Sequence, residues 1–265
     1  MMTNAHEPRF AANLKWLFTE DPLEGRFAAA ADEGFAGVEL PAPGGLTAAR
    51  TARLLEENGL EAVLLNVAQG PSGSPTAGGA ACLPDHVDTF RDLVDEGLDF
   101  AGEIGCRTVH VVGGRIPDGV SRDDAFARYV HNIGWAAARA EGTGLRIVLE
   151  MQNQRDAPGF VLGSQAMAAA VAKAVGGPVG LLFDVFHTQV AEGDVTRTFD
   201  AVRPLVQHIQ IGDGPGRTEP GTGELDWHYV VEHVRASGYT GWFGCEFIPA
   251  GTSAGVLQRL KEAVR

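Results

Sequence analysis

Four short apolar runs in this chain each end in a side-chain oxygen. Arg146-Ile-Val-Leu ends at Glu150, Gly180-Leu-Leu-Phe at Asp184, Val206-Gln-His-Ile at Gln210, and Trp242-Phe-Gly-Cys at Glu246. The terminal residues are 34, 26 and 36 positions apart, about one strand-plus-helix unit each time. A carboxylate at the end of a buried run is costly to leave alone, so it pairs, binds a cation or faces a site. Three carboxylates and one amide oxygen make an all-oxygen donor set. That set suits Mg²⁺ or Mn²⁺ better than zinc, which favours nitrogen and sulfur. The sequence therefore predicts a divalent-metal site held by Glu150, Asp184, Gln210 and Glu246.

Such residues converge only if the elements carrying them are parallel strands. The rest of the chain supplies them. Phe10–Asn13, Gly37–Glu39, Ala62–Asn66 and Thr108–Val112 read as strands, and helical segments alternate with all eight runs. Helix starts are marked by Asp21-Pro22, by Ser121-Arg-Asp-Asp124 and by Ser164 and Asp226, and glycines follow several helix ends. Strict alternation implies a parallel sheet, and eight units close into a single (β/α)8 TIM barrel. No Gly-x-Gly-x-x-Gly follows the first strand, so a doubly wound dinucleotide fold lacks its fingerprint. In a barrel all carboxyl ends open on one face, where Asn13, Glu39 and Asn66 would join the four oxygen donors. His110 and His208 lie within strands and read as core histidines, and alternation turns Cys245 toward the helices.

At 265 residues the chain has the length of one barrel, with residues 1–8 as a polar tail. A net charge of −13 argues against a surface that follows nucleic-acid phosphates or anionic lipid. No apolar run reaches the ~20 residues of a membrane span. Met1 to Arg9 has no apolar core of a secretory signal, and Cys82, Cys106 and Cys245 are scattered, so a cytoplasmic protein with reduced thiols is expected. Gln69 to Ala81 contains only Gln, Gly, Pro, Ser, Thr and Ala, the composition of a functional lid or a disordered linker. The alternation resumes in phase after it, so it is not a domain boundary.

Several segments resemble hydroxypyruvate isomerases, members of the xylose-isomerase-like barrels. They are Glu150-Met-Gln-Asn153, Asp184-Val-Phe-His187, His208-Ile-Gln-Ile211, Gly214-Pro-Gly-Arg-Thr-Glu-Pro-Gly-Thr-Gly-Glu224, Gly244-Cys-Glu246 and the opening Arg9-Phe-Ala-Ala-Asn-Leu14. The resemblance implies that Glu150, Asp184, Gln210 and Glu246 bind the ion, that Glu150 and Glu246 also move protons, and that His187 and Arg217 hold the substrate. The implied reaction interconverts a short hydroxy-ketone and hydroxy-aldehyde through an enediolate, on hydroxypyruvate or a small sugar. Moving a proton between neighbouring carbons needs an acid–base pair and a Lewis acid for the developing charge, which these residue types provide.

Members of that family usually carry Gly-Asp-Trp and Gly-Glu-Arg-Gly after strand three, and the uncharged Gln69–Ala81 segment has neither. The missing arginine would clamp a carboxylate, and of the two candidates to replace it, Arg217 after strand seven and Lys15 just past strand one, the second is a lysine. As a point charge it would select carboxylates only modestly, and neutral hydroxy-ketones would compete well. Asn66 and Asp156 complete the expected substrate contacts. A ketose 3-epimerase is the alternative enzyme, a metal-retaining sugar-binding barrel the alternative without turnover. The expected partner is a small molecule, with no nucleic acid and no membrane, and a homo-oligomer stays open.

Overall fold

The eight apolar runs form the eight strands of a closed parallel barrel in the order β1 to β8, as expected. The computed structural model describes residues 7–265, so most of the expected tail lies outside the described residues. The strands are β1 (Arg9–Asn13), β2 (Gly37–Leu40), β3 (Glu61–Asn66), β4 (Thr108–His110), β5 (Arg146–Glu150), β6 (Val179–Asp184), β7 (Val206–Ile211) and β8 (Trp242–Cys245). The helices are α1 (Leu23–Asp32), α2 (Ala48–Glu57), α3 (Val87–Ile104), α4 (Arg122–Ala140), α5 (Gln165–Val175), α6 (Val185–Ala191), α7 (Val195–Val202), α8 (Trp227–Ala236) and α9 (Val256–Ala263). No helix among the described residues is long and apolar enough to cross a membrane.

Alternation along each strand sorts the side chains into two cores. Ile147, Leu149, Leu181, Phe183, Ile209 and Phe243 belong to the large cluster shared with the helices. Leu64, Val148 and Leu182 make a separate cluster inside the barrel. Two residues further along, the same inward phase delivers Asn66, Glu150 and Asp184, which is how a period of two places polar groups above an apolar plug. Cys245 is buried in the helix-facing cluster, as strand parity predicts. Each apolar side chain removed from water in this way stabilises the fold by about 1.5–3 kcal/mol.

The serine and Asp226 helix signals also hold locally, whereas α1 starts after Pro22 with no side-chain cap from Asp21. The Ser121 hydroxyl accepts from the Asp124 amide at 3.1 Å and that of Ser164 from the Met167 amide at 3.2 Å, caps that contribute about 1 kcal/mol each. Two features differ from expectation. Alternation implies one helix after each strand, but two follow β6, and α6 starts directly at its end because Asp184 both ends the strand and caps the helix through the His187 amide at 2.9 Å. The end of the segment 69–81 is packed, while residues 71–73 and 75 stay exposed: Ala80 and Ala81 are buried, and the Asn132 side chain donates to the Ala81 carbonyl at 2.8 Å.

Candidate functional site

The carboxyl ends of the strands surround one cavity of about 440 Å³. Glu150, His187, Gln210, Arg217 and Glu246 all line it. Glu150 stands at the end of β5, almost wholly buried, and accepts from the Gln152 side chain at 2.8 Å. Burial pushes its carboxyl well above the usual carboxylate range, and the nearby charges of Glu246 and Asp184 push it further. Asp184 receives the His187 amide on Oδ1 and the Arg217 guanidinium on Oδ2, both at 2.9 Å.

Arg217 knits this side together. Its Nη1 lies 2.8 Å from Oε2 of Glu246, whose Oε1 accepts from the Trp16 indole at 3.0 Å. The Phe186 ring lies 4.6 Å from the guanidinium carbon. Burial works against the arginine's charge, but the Asp184 and Glu246 carboxylates overcome it and raise its pKa. Arg217 adopts a positive φ of 53°, which the surrounding segment holds in place. The Asp213 carboxylate beneath it accepts backbone N–H groups of Gly221, Gly223 and Leu225 at 3.0, 2.9 and 3.1 Å. Glu219 receives the Arg259 fork at 2.6 and 3.0 Å. The sequence string from Gly214 to Glu224 is thus a scaffold for a single arginine.

His187 is neutral at physiological pH, its pKa lowered to about 3 by burial and by Arg217. The Asn153 amide lies 3.3 Å from its Nδ1, and its Nε2 lies 2.7 Å from Nη2 of Arg217, which donates, and 3.9 Å from Oε1 of Glu150. Asn153 also binds Asp156, whose carboxyl is held below its usual range by its hydrogen bond from Arg155. Glu150, Asp184 and His187 each present an atom within 4.8 Å of the others, a buried group that could hold a metal ion.

A second layer lies below. Glu39 is buried at 1% exposure and accepts from Asn13 at 2.7 Å and from Nε2 of Gln210 at 2.8 Å, and its other oxygen meets His208. Only a glycine at 244 leaves room for that carboxylate, since a Cβ there would sit 1.6 Å from Oε1 of Glu39. By taking the Gln210 amide nitrogen, Glu39 fixes which way the amide faces. Its oxygen is left buried without a hydrogen-bond partner.

Residues 27–263 match the family described as xylose isomerase-like TIM barrel. The chain is 40% identical to a 2-oxo-tetronate isomerase of Cupriavidus necator over 94% of this chain and 96% of that one. It belongs to this family, on its hydroxypyruvate isomerase branch. Hydroxypyruvate isomerase of Escherichia coli is 34% identical over 94% of this chain and 97% of its own length. A solved structure described as AP endonuclease, family 2, from Brucella melitensis superposes with a TM-score of 0.89 at 35% identity, covering 96% of this chain and 98% of that one.

Within this family frame, Arg217 links Asp184, His187 and Glu246, Glu150 lies 3.9 Å from His187, and Gln210, Lys15, Asn66 and Asp156 line the same cavity. Asn13 and Glu39, expected at the barrel mouth, do not line the cavity and act from beneath Gln210. The reading of His110 as a core histidine needs correction. It is buried, but it lines the cavity, its Nδ1 bonds Asn66 at 3.1 Å and its Nε2 lies 3.7 Å from Glu150. Burial and Lys15 lower its pKa to about 3, so it is neutral. Reasoning from sequence also missed Trp16, Asn153 and Asp213. Only Asn153, the last residue of the Glu150-Met-Gln-Asn153 motif, carried a hint of its role.

Proposed function

We propose that this protein is a divalent-metal-dependent isomerase of small hydroxy-keto acids, moving a proton between adjacent carbons of the substrate. The observation that carries this reading is the pair Glu150 and Glu246 on one cavity of about 440 Å³, a volume suited to a small molecule. The named relatives support the substrate class, since they are isomerases of a 2-oxo-tetronate and of hydroxypyruvate.

The donor set fits a hard cation on two observations. The Gln210 amide oxygen is buried without a partner, and Glu150 sits among carboxylates that make its own ionisation costly. We assign Glu150, Asp184, Gln210 and Glu246 as the residues that hold Mg²⁺ or Mn²⁺. Bound there, the ion would serve as a Lewis acid for negative charge developing on the substrate's hydroxyl and carbonyl oxygens.

The chain's own residues do the rest. One of Glu150 and Glu246 takes the proton from the carbon bearing the hydroxyl, leaving an enediolate. The other returns a proton to the former carbonyl carbon, and a proton shift between the two oxygens completes the exchange. Trp16 and Arg217 hold Glu246 from two sides, so its carboxylate meets the substrate in one orientation. Nη2 of Arg217 donates to Nε2 of His187 at 2.7 Å, which ties the two side chains together. Both side chains line the cavity beside Glu150 and Glu246, and we assign them to substrate binding. The Brucella neighbour carries the name of a nuclease family, but a chain of net charge −13 is poorly suited to following a phosphate backbone.

The test is a panel of 2-oxo acids, hydroxy-ketones and small sugars with chelated protein and with Mg²⁺ or Mn²⁺ restored. The expected result is interconversion of a hydroxy-keto acid that is lost on chelation and recovered with the ion. Turnover indifferent to chelation, or none on any member of the panel, would contradict the reading.

A further inference from the structure

Four cationic side chains line the cavity, and two of them are already committed. Arg217 is bound to Asp184 and Glu246, and Arg155 to Asp156 and to the Pro215 carbonyl. The Lys15 ammonium is exposed and has only the Trp16 ring, 5.9 Å away. Arg115 is exposed as Lys15 is, but it is anchored differently. Among the described residues its guanidinium has no hydrogen bond, ion pair or aromatic partner, yet its backbone and stem are held from two directions.

The backbone of Arg115 bridges to Phe160, flanked by a bond from the Ile116 amide to the Gly159 carbonyl at 2.9 Å and one from the Val161 amide to the Gly114 carbonyl at 3.0 Å. The stem lies beside Gly78, where a Cβ would stand 3.3 Å from Cγ and 3.6 Å from Nε of the arginine. The segment carrying Gly78 is itself seated by glycines. Gly79 and Gly114 both have positive φ, 103° and 101°, and a Cβ on either would meet the other segment's backbone at 2.5 to 2.7 Å. The Cys82 amide closes the seam by donating to the Gly113 carbonyl at 3.0 Å. The glycine-rich segment 69–81 thus brings its backbone against the turn after β4, and the cation the cavity needs stands on that turn.

We propose that Arg115 binds the carboxylate of the substrate and sets the preference for acids over neutral hydroxy-ketones. The inference rests on the reading of the substrate as a hydroxy-keto acid. A guanidinium held at its base and open at its fork can take both oxygens of a carboxylate at once. Lys15 adds a point charge to the same cavity and contributes less. The substrate then lies between two grips, its reacting oxygens toward Glu150 and Glu246 and its carboxylate toward Arg115.

The test compares hydroxypyruvate with dihydroxyacetone, its neutral counterpart, in the Mn²⁺-loaded wild type, Arg115→Met, Arg115→Lys and Lys15→Met. Hydrogen bonds to a charged partner predict a fall of about 10- to 100-fold in the ratio of kcat/KM for the acid over the neutral compound in Arg115→Met, expressed mainly in KM. Arg115→Lys should recover part of the ratio, and Lys15→Met should change it less than about fivefold. An unchanged ratio in Arg115→Met, an equal loss on both compounds, or a Lys15→Met effect as large as that of Arg115→Met would overturn the proposal. Mn²⁺ affinity confirms that each variant retains a folded site.

Binding of glycerate, an acid with no carbonyl to isomerise, is followed by ligand-observed NMR and separates this proposal from the reaction itself. If the wild type isomerises neither compound, the functional reading fails while glycerate still decides the role of Arg115. Weaker binding in Arg115→Met upholds it. Equal binding in both proteins, or none in the wild type, overturns it.

Discussion

The two walls of the cavity are built on opposite principles. On the side of β5 to β8, every functional group is tied by side-chain hydrogen bonds and ion pairs, from Glu39 beneath Gln210 to Asp213 beneath Arg217. On the side of β3 and β4, beyond the hydrogen bond between Asn66 and His110, the wall is backbone seated on backbone through glycines, and its one arginine has no partner among the described residues. A wall of interlocked charges tolerates little change, because removing one partner strands another in a low-dielectric interior. A wall of glycine contacts carries few charges to strand, so its residues can vary without disturbing the other side. The first wall is suited to fixing the chemistry and the second to choosing the substrate.

That contrast predicts unequal responses. The largest belongs to Asp184→Ala, which removes a donor, the cap of α6 and the partner of Arg217 together. Mn²⁺ binding measured by calorimetry should be lost, and unchanged affinity would sink the four-donor assignment. Glu39→Gln should have an intermediate effect. It keeps the shape of the side chain but presents a mixed donor and acceptor to three neighbours that converge on a carboxylate. The Gln210 amide is then free to turn its nitrogen toward the site, so Mn²⁺ affinity should fall about 10- to 100-fold with the circular dichroism spectrum retained. Affinity equal to wild type would show that the lower layer does not orient Gln210.

Much of the first wall was legible before the structure, for a physical reason. A strand reports its own phase, and a polar residue two places beyond a buried inward residue faces the same way. That logic located Glu150, Asp184, Gln210 and Glu246 on one face. It could not show that Glu39 and Asn13 work from below, because their partners arrive only when β1 and β8 close the barrel. It also missed α6, since one aspartate both ends β6 and starts the helix, leaving no turn residues between them. The second wall was opaque for a different reason. Glycines that permit close approach look the same in sequence as glycines that permit flexibility, so residues 69–81 read as a lid or linker. A single arginine after Gly113-Gly114 reads as a surface residue until the cavity around it is known.

The central claim is that Glu246 moves a proton at carbon in a site that holds a metal ion. It is tested most directly by following hydroxypyruvate with Mn²⁺-loaded wild type and Glu246→Gln in deuterated solvent by NMR. The substitution keeps an oxygen near the ion but removes the titrating group. The account predicts deuterium at the carbon next to the carbonyl in the wild type, and exchange slower by about 10² or more in the variant with Mn²⁺ binding retained. Exchange at the wild-type rate in Glu246→Gln, or product formed by the wild type without solvent label, would contradict it.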